Sequence, residues 1–148
     1  MIALTRPLAA SDLDQWSLLR DGYLDFYETT LPAGQTDRTW QRLVDPAFGL
    51  YGLVAEIDGQ LVGFAHYSFT HSTWAINRDV YLEDLFIDPS VRGQGVGRLL
   101  IRGLNEIAKS EGGRKVYLET HNDNHAARKL YDSIGQLTEF VKYSMPVE

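Results

Sequence analysis

The stretch from Tyr81 to Leu100, YLEDLFIDPSVRGQGVGRLL, constrains the chain most, because it joins an apolar strand to a glycine-rich turn and then to a helix. Tyr81 to Ile87 is rich in strand formers, and Asp88-Pro89 stops the strand. Arg92-Gly93-Gln94-Gly95-Val96-Gly97 then leads into an apolar-periodic run through Leu99, Leu100, Gly103, Leu104 and Ile107. The glycines leave backbone N–H groups uncovered by side chains. At a helix N-terminus, with its partial positive charge, such donors form an anion site, and Arg92 adds a cation beside it. The alternative is that the glycines only shape a tight strand-to-helix turn.

Spacing separates the phosphate ligands. A dinucleotide fingerprint needs Gly-x-Gly-x-x-Gly, but counting from Gly93 puts Arg98 at the third glycine, and counting from Gly95 puts Leu100 there. No Gly-Lys-Ser or Gly-Lys-Thr occurs, which excludes a P-loop. The spacing of Arg92, Gly95 and Gly97 resembles motif A of the GNAT superfamily of N-acetyltransferases, Arg/Gln-x-x-Gly-x-Gly/Ala. A second run, Asn124-His125-Ala126-Ala127-Arg128-Lys129-Leu130-Tyr131 followed by Gly135, resembles the family's motif B, Asn-x-x-Ala-x-x-Leu-Tyr. On a helix Asn124, Ala127 and Tyr131 share one face, and the small Ala127 between two polar groups suits a thin ligand arm. One departure is Gln136, where the family often carries an aromatic after the glycine.

The resemblance covers the second half of the chain by motif and the first half by element order. It implies an α/β (α+β) fold with a mixed, twisted sheet of about six or seven strands, splayed between the fourth and fifth and flanked by about four helices. It also implies acetyl-CoA as cosubstrate, with its pyrophosphate held by Arg92, Gly93, Gln94, Gly95, Val96, Gly97 and Arg98. The pantetheine arm would pair with backbone groups of Leu85, Phe86 and Ile87 and lie against Asn124, Ala127 and Tyr131.

Acyl transfer to nitrogen requires that the amine lose a proton, and the departing thiolate benefits from gaining one. Glu83 and Asp84 interrupt an otherwise apolar strand, where a charge is costly unless used or paired. Strict alternation puts these neighbours on opposite sides of the strand, with different roles. Tyr81-Leu82-Glu83-Asp84 resembles the corresponding stretch of diamine acetyltransferases. That likeness implies Glu83 as base, through water, and Asp84 as a substrate contact; the alternative is a structural pairing with Arg78 or His66. Tyr131 is the candidate acid, the alternative being a half-buried aromatic whose hydroxyl finds a backbone partner, and a backbone N–H near Ile87 is the candidate oxyanion donor. Tyr27 and Trp74 stand as substrate-contact candidates, although core cover is the stronger expectation for any one of them, as for Trp40. His66 and His71 are candidates to line the acceptor cleft, although a lone histidine is more often a hydrogen-bonded surface or core residue, and the histidine spacing offers no metal set.

The remaining features bound the reading. At 148 residues and 44% hydrophobic the chain fits one N-acetyltransferase domain, 1–148. Without cysteine there is no disulfide, cysteine nucleophile or thiolate metal site. No apolar stretch approaches a membrane span, so a cytoplasmic protein is expected. The net charge of −6 argues against nonspecific nucleic-acid binding and favours cationic substrates. Expected elements are a strand at 2–6, a helix capped by Ser11, a helix at 37–44, a hairpin over Asp58-Gly59, a strand at 116–120, the motif B helix, and a last strand, 140–145. That last strand supplies an edge through which a homodimer is expected to pair. Three functions follow: an N-acetyltransferase for a small polyamine-like amine, a protein lysine or N-terminal acetyltransferase, and an acyl-CoA-binding sensor. A paired acid and base argue against the sensor, because binding alone requires neither.

Overall fold

In the computed structural model, which describes residues 2–147, five strands form one sheet in the order β1-β2-β3-β4-β5. β1 (Ala3–Pro7), β2 (Tyr51–Ile57), β3 (Gln60–Thr70) and β4 (Asp79–Ile87) pair antiparallel in succession, and β5 (Val116–Leu118) lies parallel to β4. The β2–β3 turn is Asp58-Gly59, with φ of 50° and 80°. Positive φ at both central residues is the geometry that matches the twist of the flanking strands, so this dipeptide fixes the hairpin register.

Helices cover both faces. The four helices are α1 (Leu13–Phe26), α2 (Gln35–Val44), α3 (Val96–Ser110) and α4 (His125–Ile134). In α3, Val96, Leu100, Leu104 and Ala108 recur every four residues and bury against Leu53, Ala65 and Leu82 of the sheet. On the opposite face Trp16 and Leu19 of α1 and Leu43 of α2 meet Val54, Phe64 and Phe86. β4 is thus the central scaffold of the site, packed by α3 on one side and α1 on the other.

The fourth and fifth strands separate as the family resemblance implies. β5 pairs with β4 only from Val80 to Leu82, and β4 continues through Glu83–Ile87 without it. Asp79 holds the base of this fork: its carboxylate accepts from the Arg114 backbone N–H at 2.8 Å and from the Arg114 guanidinium at 2.7 Å.

Three expectations change. Helix α1 begins at Leu13 and is preceded by a 3-10 turn at Ala10–Asp12, so Ser11 does not cap it. Instead the Asp12 carboxylate accepts the Ala9 N–H and both terminal nitrogens of Arg6, each at 2.8 Å. The fifth strand stops at Leu118, short of residue 120. The last strand, 140–145, is not formed, which leaves five strands rather than six or seven among the described residues. A strand needs a partner edge, and this segment lies outside the sheet, with Phe140 92% and Tyr143 82% exposed. Its one side-chain tie is the ion pair of Lys142 with Glu119.

Candidate active site

The turn after β4 is built for an anion. Gly93 and Gly95 take φ of 79° and 82°, and a Cβ added at either would meet nothing within 4 Å. L-residues avoid such φ values, so glycine here serves both the backbone path and the open space in front of it. None of the backbone N–H groups of Gly93 to Arg98 donates to another backbone group. Gly95 caps α3 without any side-chain bond, which leaves the positive end of the helix dipole facing the same space. A pyrophosphate fits this cradle: donors are free and no side chain fills it.

The flanking residues divide the work. Val96 and Gly97 are buried and contribute backbone only. A Cβ on Gly97 would sit 3.1 Å from Leu130 Cδ2, so this glycine also permits close approach of α4 to α3. Arg98 donates to Ser133 Oγ at 2.8 Å, which ties the two helices together. Arg92 folds back onto β4. Its Nε donates to the Ile87 carbonyl at 3.1 Å, and its guanidinium lies over Phe26 and Phe86, 5.1 and 5.5 Å from the ring centroids. Gln94 is exposed, and Leu85 and Ile87 turn their side chains into the α3 side of the core.

Glu83 occupies a bulge. β3 pairs His66 with Asp84 and Tyr67 with Leu82, and Glu83 has no partner between them. The consequence is visible in the two cores. Leu82 and Leu85, three residues apart, both pack on the α3 side, whereas Asp84 and Phe86 meet α1. The extra residue therefore places Glu83 and Asp84 on the same side, contrary to strict alternation. Bulges re-aim side chains in this way beside active sites.

The two carboxyls have opposite environments. Glu83 reaches solvent, yet partial desolvation and then the neighbouring Asp84 charge raise its pKa, with Arg20 opposing. Asp84 is held by three donors: Tyr23 Oη at 2.6 Å, His66 Nδ1 at 2.9 Å and Arg20 at 3.4 Å. Burial alone would raise its pKa, but the His66 and Tyr23 bonds and the Arg20 charge outweigh it and hold the carboxyl ionised, below its ordinary range. Contact with a substrate amine would have to compete with these donors. Of the two structural partners considered for the strand carboxylates, His66 engages Asp84, while Arg78 pairs with Glu111.

Motif B meets α1 across the fork. Asn124 is the N-cap of α4, and Asn124, Ala127 and Tyr131 are all half-buried. Asn124 Nδ2 donates to the Tyr27 hydroxyl at 3.5 Å and to Thr120 Oγ1 at 3.4 Å. Tyr27 in turn sits 4.9 Å from the Tyr23 ring, so the Tyr23–Tyr27 pair links Asp84 to the start of α4. Burial, and secondarily Tyr27, pushes the Tyr131 phenol up to about 12. Its hydroxyl makes no hydrogen bond within the protein among the described residues, and its proton is free to be given to a ligand. Trp74 is not brought to this site: it is 89% exposed on the β3–β4 linker.

Trp16, Arg20 and Tyr23 belong to the site although the sequence reading did not place them there. They recur at helical spacing, and Arg20 falls in an apolar stripe. A charge in that position signals a buried anion on the facing element, here Asp84.

The profile of the Acetyltransferase (GNAT) family matches residues 16–135. D-amino-acid N-acetyltransferase HPA3 of Saccharomyces cerevisiae is 32% identical over 142 residues, 95% of this chain and 88% of that relative. Thialysine N-epsilon-acetyltransferase of Bos taurus is 38% identical over 81 residues, 53% of this chain and 47% of its own length. Among solved structures, ribosomal-protein-alanine N-acetyltransferase from Brucella melitensis biovar Abortus 2308 gives a TM-score of 0.85 at 21% identity over 99% of this chain and 100% of that one. AAC(6')-Iy in complex with a CoA bisubstrate analogue gives 0.84 at 22% identity over 99% of each. These two likenesses establish the fold. With the family profile spanning most of its length, the chain belongs to the GNAT acetyltransferase family and is an acetyl-CoA-dependent N-acetyltransferase.

Proposed function

We propose that the protein moves the acetyl group of acetyl-CoA directly to a small, polyamine-like primary amine. The observation that carries this reading is the pairing of a desolvated carboxyl, Glu83, with a phenol, Tyr131, that keeps its proton at neutral pH. The amine loses a proton to Glu83, directly or through water, and its nitrogen bonds to the thioester carbonyl carbon. The C–S bond then breaks, Tyr131 gives its proton to the departing sulfur, the nitrogen's second surplus proton restores the phenol, and Glu83 releases its proton to solvent. The free N–H groups of Gly93 to Arg98 hold the pyrophosphate, and the unpaired edge of β4 at Leu85–Ile87 offers backbone groups to the pantetheine amides. Asn124 and Ala127 line the arm.

Charge supports a cationic acceptor. A groove of about 520 Å³ between the end of α1 and the start of α2 is lined by Asp21, Asp25 and Asp37. These carboxylates raise the local concentration of cations. Tyr27 is the substrate contact we retain, because it bridges α1 and α4 beside Tyr131. The similarity to HPA3 along nearly the whole chain favours a second reading, an amino-acid acceptor, whose carboxylate the acidic groove would repel.

We also propose a single catalytic domain that works as a homodimer in the cytoplasm. The dimer is supported by the exposed apolar arm, in which Val141, Tyr143, Met145 and Val147 alternate with smaller or polar residues. No helix among the described residues is long and apolar enough to cross a membrane.

The test is Glu83→Gln. It should lower acetylation most at neutral pH and less at high pH, where the free amine is already abundant. Unchanged rates at all pH values would remove Glu83 from the mechanism.

A further inference from the structure

Behind the bulge runs a chain of buried hydrogen bonds that binding and proton transfer do not use directly. Trp16 Nε1 donates to His66 Nε2 at 3.0 Å, and His66 Nδ1 meets Asp84 Oδ2 at 2.9 Å. An indole N–H is only a donor, so Nε2 must accept and the proton of neutral His66 must sit on Nδ1. The tautomer is thereby set by Trp16. Protonating Nε2 would point two hydrogens at each other, and His66 is 1% exposed, so burial lowers its pKa as well. Arg20 lowers it further, and only Asp84 opposes. The Trp16 bond and burial together disfavour a second proton on His66, and as a neutral ring it leaves the Asp84 charge in place. Tyr23 fixes the other oxygen, Oδ1, at 2.6 Å.

We propose that Trp16, His66 and Tyr23 are positioning residues for Glu83: they hold Asp84 as a fixed anion immediately behind the bulge, so that Glu83 works against a permanent negative neighbour. The inference rests on the reading of Glu83 as the base. It reassigns Asp84 from amine contact to charged support. The groups facing Glu83 are Asp84 and Arg20, with Tyr81 two residues away on the same strand, and partial burial together with the Asp84 charge outweighs the Arg20 charge. A base beside a fixed anion holds a captured proton more firmly, which is what an ammonium donor demands.

Three measurements test this. The first is the ¹⁵N spectrum of His66 in the wild-type protein, which should show a protonated Nδ1, an unprotonated Nε2 and no titration across the assayable range. An Nε2–H tautomer, or a titrating ring, would overturn the proposal without any variant having to fold. The second is the pH profile of kcat for Asp84→Asn, in which the Tyr23 hydroxyl can rotate to accept from the new amide. The acid limb should move to lower pH and the plateau fall, while the amine KM changes little. A raised KM with an unmoved limb would return Asp84 to amine binding and overturn the proposal. The third is Trp16→Phe, which removes the donor facing Nε2 and should make His66 easier to protonate than in the wild type; a ring no easier to protonate would count against the role given to Trp16. Glu83→Gln separates the two levels. If it keeps the wild-type limb, the base assignment falls; if it replaces that limb with one set by the amine's own ionisation while Asp84→Asn leaves the wild-type limb in place, only the positioning role falls.

Discussion

Replacing Tyr131 with Phe removes one oxygen and leaves the ring. Because that hydroxyl makes no hydrogen bond within the protein among the described residues, stability should change by no more than about 0.5 kcal/mol, the range for sites without a named stabilising contact. Catalysis should respond differently. The phenol, raised by burial from 10.0 to about 12, carries its proton throughout neutral and mildly alkaline conditions and is a competent acid there. Loss of a positioned general acid costs about 10²- to 10⁴-fold in rate, or roughly 3 to 5 kcal/mol in the barrier. Acetyl-CoA affinity should hold, since the contacts proposed for it are made by the loop and strand backbone. The assay pairs kcat from thiol release with acetyl-CoA affinity from calorimetry, on one amine substrate. A kcat within about threefold of wild type would refute the reasoning, since no lost transition-state interaction would then be needed. A fall in affinity matching the fall in rate would assign Tyr131 to binding instead.

Gly95→Glu should abolish acetyl-CoA binding, because its side chain enters the open cradle with a charge opposed to phosphate; unchanged affinity by calorimetry would move the pyrophosphate elsewhere. The same substitution forces an L-residue into φ of 82° and should cost about 1–2 kcal/mol of stability by urea denaturation. Asp79→Ala should cost about 1–3 kcal/mol by denaturant titration, as it strips the Arg114 bonds from the base of the β4–β5 fork. The Asp79 pKa is depressed by Arg114 and the Asp84 pKa by His66, Tyr23 and Arg20, so the stability these carboxylates contribute is complete above the unfolded carboxylate range and is lost as pH falls through their folded values. Truncation after Leu137 should convert a dimer to a monomer in sedimentation while leaving the secondary structure intact; a full-length chain that sediments as monomer at micromolar concentration would refute the arm-mediated dimer.

The parts of this fold legible in the sequence were those written in local backbone chemistry. Asp58-Gly59 specifies its own turn, and Arg92 to Gly97 specifies a cradle whatever surrounds it. The Glu83 bulge was not legible, because its cause lies in two cores that must both be satisfied: Leu82 and Leu85 bury on one face although their spacing breaks a period of two. The Trp16–His66–Asp84 chain was hidden for a related reason. Each residue has an ordinary local explanation, and only the crossing of α1 over β3 and β4 joins them. Residues 140–145 carry strand-forming side chains, but a strand is a property of a pair, and this segment pairs with neither open edge of the sheet. Trp74 shows the converse, since aromatic character on a linker implies neither burial nor contact.

The most direct test of acetyl transfer to a small cationic amine is a panel of acceptors incubated with acetyl-CoA, with thiol release and product mass read together. The panel should include diamines and polyamines, D- and L-amino acids, a lysine peptide and a peptide with a free N-terminus. The account predicts acetylated product and stoichiometric thiol release, fastest with diamines or polyamines and strongly slowed at neutral pH in Glu83→Gln and Tyr131→Phe. Acetyl-CoA binding with no amine-dependent thiol release from any acceptor would contradict it and leave a protein that senses acyl-CoA without turning it over.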